Sequence, residues 1–99
     1  MAQLIIVTNS ASITREQRNA LTDHLTAKKW ETWHWIEDLW LIAGAPDDGP
    51  SIIALRSQIN KIIPDQAFLI FTAKGTAVTG YAQDKSQPWI ENHWSVIKS

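Results

Sequence analysis

Cysteine is absent from this chain of 99 residues, which excludes disulfides, thiolate metal sites and cysteine nucleophiles. The absence fits a reducing compartment. Neither sign of charge prevails. Nine Lys and Arg stand against ten Asp and Glu, a net charge of −1, so no bulk field draws the chain to phosphate backbones or anionic lipid. Long apolar runs are also lacking: none exceeds the five residues of Leu39 to Ala43, far short of the roughly 20 that span a bilayer. The start, Met1-Ala2-Gln3-Leu4, has no basic region of a secretory signal. A soluble, cytoplasmic protein with no membrane partner is expected. Glycine and proline are sparse, four of each, and with 44% hydrophobic residues the chain is neither disordered nor fibrous. Its length suits one domain over 1–99. What stands out is tryptophan, of which there are six.

Leu4-Ile5-Ile6-Val7-Thr8 reads as a buried first strand, followed by a polar loop. Thr14-Arg15-Glu16-Gln17 has capping-box spacing and starts a helix that ends near Lys29. From Trp30 the period becomes two, and the polar Glu37-Asp38 separates two strands, the second being Leu39 to Ala43. Gly44 to Pro50 reads as loop. Ser51 is placed to cap a second helix built on Ile52, Leu55, Ile59 and Ile62, which Pro64 ends. Phe68 to Thr72 is a fourth strand, Thr76 to Ala82 a short fifth broken by Gly80, and Pro88 the first residue of a final helix through Trp94. The expected class is α+β: a ferredoxin-like βαββαβ arrangement with an added C-terminal strand and short helix.

The strands carry a second message. In a two-layer fold one sheet face packs on helices and the other meets water, so apolar and polar residues alternate. Here Leu4 and Ile6 oppose Ile5 and Val7, Trp40 and Ile42 oppose Leu39 and Leu41, and Phe68 and Ile70 oppose Leu69 and Phe71. Three strands apolar on both faces leave a patch larger than monomers usually tolerate. A second copy of the chain is the expected cover, with a different protein partner as the alternative.

Residues able to carry chemistry are few. Walker, Gly-x-Gly-x-x-Gly, His-Glu-x-x-His, Gly-x-Ser-x-Gly and EF-hand spacings are all missing. His24, His34 and His93 fall on three different elements, so no metal or other cofactor is expected. His34 is placed to find Glu37 or Asp38 across the turn, as a structural contact. Arg15 and Arg18 lie one turn apart with Lys28 and Lys29 at the helix end, a candidate contact for nucleic-acid phosphates or a solvated helix surface. Trp33, Trp35 and Trp40 have no cation between Trp30 and Leu55 beside them, so core or interface packing is a better reading than base stacking.

The stretch Trp33-His34-Trp35-Ile36-Glu37-Asp38-Leu39-Trp40-Leu41-Ile42 resembles the Trp-His-Tyr-Leu-x-x-Thr-Trp-Leu-Val stretch of a known group. These are the SinR-like proteins, a branch of the small ferredoxin-like CRISPR-associated (Cas) nuclease and adaptor superfamily. The likeness runs from Leu4 to about Trp94 and takes in the Gly80-Tyr81 pair. It implies a homodimer of two facing sheets. In the family's nucleases an Asp closing the first strand of each subunit holds a shared divalent metal, and the matching residue here is Asn9. An amide keeps the shape but loses the charge a hard cation requires, and Ser10 and Ser12 do not replace it. The resemblance therefore implies a non-catalytic homodimeric binding or adaptor module in a bacterial or mobile-element defence context. A weak metal-dependent nuclease using Asp38, Asp47 or Asp48 is one alternative, and a protein-binding regulator the other.

Overall fold

The computed structural model describes residues 2–9, 13–73, 77–78 and 85–96. Four strands, β1 (Ala2–Thr8), β2 (Glu31–Ile36), β3 (Leu39–Ala45) and β4 (Phe68–Thr72), form one antiparallel sheet in the order β2-β3-β1-β4. Helices α1 (Arg15–Ala27) and α2 (Gly49–Ile62) follow β1 and β3 in the chain. A two-residue strand β5 (Ala77–Val78), helix α3 (Ser86–His93) and strand β6 (Ser95–Val96) complete the described elements, β5 and β6 pairing in parallel. The class is thus α+β. Among the described residues no helix is long and apolar enough to cross a membrane.

Local chemistry explains the helix ends. Thr14 accepts from the Gln17 N–H (3.1 Å) while the Gln17 side chain accepts from the Thr14 N–H (2.9 Å), the reciprocal box expected from the sequence. Lys28 caps the other end, and Lys29 takes the left-handed conformation at φ 64° that turns the chain into β2. The second helix starts earlier than expected. Its cap is Asp48, not Ser51, because Asp48 accepts from both the N–H (3.0 Å) and the hydroxyl (2.7 Å) of Ser51. Pro50 sits in the first turn, where no intrahelical donor is needed, so the segment read as loop is strand to Ala45 and helix from Gly49. Gly44 allows the extra strand length by taking φ 81°, in the region open to glycine. Pro88 is the third residue of α3, not the first. The fifth strand is Ala77–Val78, and the remainder of the expected Thr76 to Ala82 lies outside the described residues, as do Ser10 and Ser12.

The main core lies between the sheet and the first two helices. Leu4 and Ile6 of β1 and Trp40 and Ile42 of β3 are fully buried against Leu21 and Leu25 of α1 and Leu55 and Ile59 of α2. His24 donates from Nε2 to the Gln58 side-chain carbonyl (2.7 Å), joining the two helices. Trp40 is the largest side chain in this layer, and its indole N–H donates to Thr22 Oγ1 (2.9 Å), so a bulky aromatic is buried with its one donor satisfied. A second, smaller core forms on the opposite face, where Ile90 and Trp94 pack with Leu41 and Ala73. Part of the second apolar face is therefore covered by the chain's own C-terminal helix.

Truncating Trp40 to Ala is expected to cost about 3 to 5 kcal/mol, against about 0.5 or less for Lys85→Ala on the exposed surface. Urea unfolding midpoints of the two variants check this. Equal midpoints would contradict the placement of Trp40.

Candidate functional site

Two places merit inspection: the end of β1, where the family resemblance sets Asn9, and the uncovered part of the second sheet face. At the first, Thr8 is buried and doubly tied to the β2–β3 turn. Its N–H donates to the Asp38 carbonyl and its hydroxyl to Asp38 Oδ1, both at 2.9 Å. Arg18, with a side chain only 14% exposed, places Nη2 3.6 Å from the same Asp38 oxygen and 4.0 Å from the exposed Glu37 carboxylate. His34 donates from Nε2 to the Glu37 carbonyl (2.9 Å) and stacks flat on Trp40, with centroids 4.2 Å apart. Thr22 completes the set, donating its hydroxyl to the Arg18 carbonyl (3.0 Å) and accepting from Trp40. Hairpin turn, first strand and first helix are thus joined by one polar network.

Two of the three carboxylates that nuclease chemistry would draw on are held in structural contacts, while Asp47 is half-buried ahead of α2. Asp38 faces a hydroxyl and a guanidinium, and Asp48 caps α2. Asn9 is exposed, with its N–H donated to the Ala67 carbonyl at the entrance to β4 (3.1 Å). Among the described residues no three His, Cys, Asp or Glu side chains gather as metal ligands. His93 is held by its own helix, with Nδ1 donating to the Trp89 carbonyl (2.8 Å) and Nε2 3.6 Å from Glu31.

The candidate basic contacts do not form one surface. Arg15 is exposed, whereas Arg18 is turned inward onto Asp38. Lys28 lies over the Trp30 ring, its Nζ 5.3 Å from the centroid, and Lys29 is exposed at the turn. The tryptophans separate into three settings. Trp40 is core; Trp33 stacks on Trp89 (5.9 Å) and donates to Ser86 Oγ (2.9 Å); Trp35, 36% exposed, lies at the strand end.

The uncovered face has a definite layout. Register sets Leu69 beside Val7, Val7 beside Leu39 and Leu39 beside Ile36, so one apolar row crosses all four strands. A parallel row runs Phe71, Ile5, Leu41 and Trp33. The C-terminal helix covers the Leu41 and Trp33 end of the second row. The first row is covered less: its ends, Leu69 and Ile36, are 63% and 54% exposed, while Val7 and Leu39 between them are half-buried, Leu39 packing against the C-terminal cluster. Phe71, 48% exposed, lies beside Leu69 on β4. Sequence reasoning identified the apolar face but not its division, because Trp89, Ile90 and Trp94 gave no sign of which surface they would cover. No family model, curated protein or solved structure matches the chain.

Hydrogen bonds from Ser51 hold the Asp48 carboxyl below its ordinary pKa. A lowered folded-state pKa stabilises the fold above the unfolded value and loses that contribution as pH falls through the folded one. Asp48→Ala is accordingly expected to melt below the parent near neutral pH, the gap closing below about pH 4. Thermal unfolding of both across pH checks this; a constant gap would contradict the cap.

Proposed function

We propose that this chain is a non-catalytic homodimeric binding or adaptor module with a ferredoxin-like fold, akin to the small Cas proteins its hairpin resembles. Its setting on this reading is bacterial or mobile-element defence. The strand order β2-β3-β1-β4 with α1 and α2 on one face supports the fold assignment. The self-association is carried by one observation, the apolar row Leu69, Val7, Leu39 and Ile36, exposed at both ends and half-buried between them. A row crossing the full width of a sheet removes far more apolar surface from water when it meets a copy of itself than scattered surface residues would. A two-fold axis over the row satisfies both copies with one patch. The catalytic alternative finds less support, since Asp38 and Asp48 are engaged in structural contacts and Asn9 carries no charge. With Arg18 turned inward, any nucleic acid bound by the module would rely on Arg15, Lys28 and Lys29.

Light scattering at micromolar concentration is expected to give twice the 11.2 kDa chain mass, and the pair Leu69→Lys with Phe71→Lys to give the single mass. A parent that is monomeric throughout would contradict the proposal. A mass that doubles only when another protein is added would transfer the face to that partner.

No divalent-metal-dependent cleavage of labelled DNA or RNA is expected, because the acid the resemblance requires is Asn9. Magnesium and manganese titrations check this. Cleavage by the parent that chelation abolishes would overturn the non-catalytic reading.

A further inference from the structure

The sheet has two edges, and the chain treats them differently. The β2 edge carries Glu31 and His34 and a register irregularity between His34 and Ile36, devices that discourage another strand from adding. The β4 edge has none of them. Phe68-Leu69-Ile70-Phe71-Thr72 contains no charge and no proline, and its register with β1 is unbroken. Among the described residues β4 pairs only with β1.

The outward backbone groups of that edge follow from the ladder. Ala73 N–H donates to the Gln3 carbonyl (2.9 Å) and Asn9 N–H to the Ala67 carbonyl (3.1 Å), in the register that sets Leu69 opposite Val7. Bonded and non-bonded pairs alternate in an antiparallel ladder. Odd-numbered residues of β4 therefore bond to β1, and the N–H and carbonyl groups of Phe68, Ile70 and Thr72 point outward. Beside them lies a groove of about 380 Å³ between β4 and α2. Ile52 and Ile53 give it an apolar wall, Asn60 and Gln66 add amides, and Arg56 is its one charged residue, with no carboxylate in the lining. Arg56 is exposed and has no ion pair among the described residues.

We propose that the β4 edge and this groove take an extended peptide segment of a partner protein, added as a further strand, with apolar side chains in the groove and a carboxylate on Arg56. Main-chain hydrogen bonds would supply the affinity and the groove the selectivity, as in other cases of strand addition. A second copy's β4 fits less well, because that strand brings no carboxylate to Arg56. The groove shares Leu69 with the apolar row, but the outward backbone groups of Phe68, Ile70 and Thr72 lie along the sheet edge, so this docking goes beyond the proposed self-association and does not depend on it.

The test uses the full chain and two fluorescein-labelled peptides of about seven residues, alternating Val and Thr and ending in Glu or in Lys. Polarisation is expected to show the Glu peptide binding about tenfold more tightly than the Lys peptide, with Arg56→Glu reversing the order. Thr72→Pro removes an outward N–H on an exposed residue without touching the β1 ladder, and is expected to weaken the Glu peptide about tenfold. Failure of both peptides to bind at millimolar concentration would overturn the proposal, as would binding indifferent to both substitutions. A dimeric parent made monomeric by Thr72→Pro would also overturn it, assigning the edge to a second copy. A monomeric parent that still binds the Glu peptide would sink the self-association alone.

Discussion

The first strand is apolar on both sides, and the rest of the structure answers that constraint. Leu4 and Ile6 are fully buried against α1 and α2, while Ile5 and Val7 point to the opposite face. Being flanked by β3 and β4, the strand has no edge through which to relieve the demand. Two covers are required, and the chain supplies one and a part. The helical layer seals the first face, and the short C-terminal helix reaches back over Leu41 and Trp33 on the second. A helix of eight residues spans about 12 Å, too short to shield a four-stranded sheet. What it leaves exposed, Leu69 and Phe71 on β4 and Ile36 at the end of β2, is the surface the proposed second copy would bury together with half-buried Val7.

Polar contacts serve this arrangement by fixing the hairpin. Thr8, Asp38, Arg18, His34 and Thr22 tie the turn between β2 and β3 to the end of β1 and to α1. A tilting hairpin would carry Trp40 out of the first core and Trp33 from under the C-terminal helix. The same network explains why the end of β1 has little chemistry to offer, since Asp38 and Arg18 are committed to one another.

The fold was largely legible because local and periodic signals agreed. The Thr14 to Gln17 box and the stop at Pro64 each correspond to an observed boundary, and the alternation from Trp30 to a strand, although a slip between His34 and Ile36 moves Ile36 to the face of Trp33 instead of that of Thr32 and His34. The α2 start was misplaced because Ser51 and Asp48 are both competent caps, and only geometry shows the aspartate accepting from the serine. Of the candidate site, the contact of His34 with the turn was readable from its spacing. The inward turn of Arg18 was not, because a cation on a helix face looks the same whether it meets water or a carboxylate from a distant hairpin. The edge difference between β2 and β4 became visible only with the strand order, which sequence periodicity does not encode.

In the proposed dimer, the exposed part of the second face is buried by another copy of the chain. Because the chain has no cysteine, Val7→Cys places a single thiol at a half-buried position near the middle of the apolar row with little change in volume. Its rate of reaction with a maleimide, compared across protein concentrations, reads the cover directly. The account predicts slow labelling in concentrated solution and fast labelling on dilution, with a control thiol at exposed Ser57 indifferent to both. A Val7→Cys rate independent of concentration and equal to that of the control would contradict it.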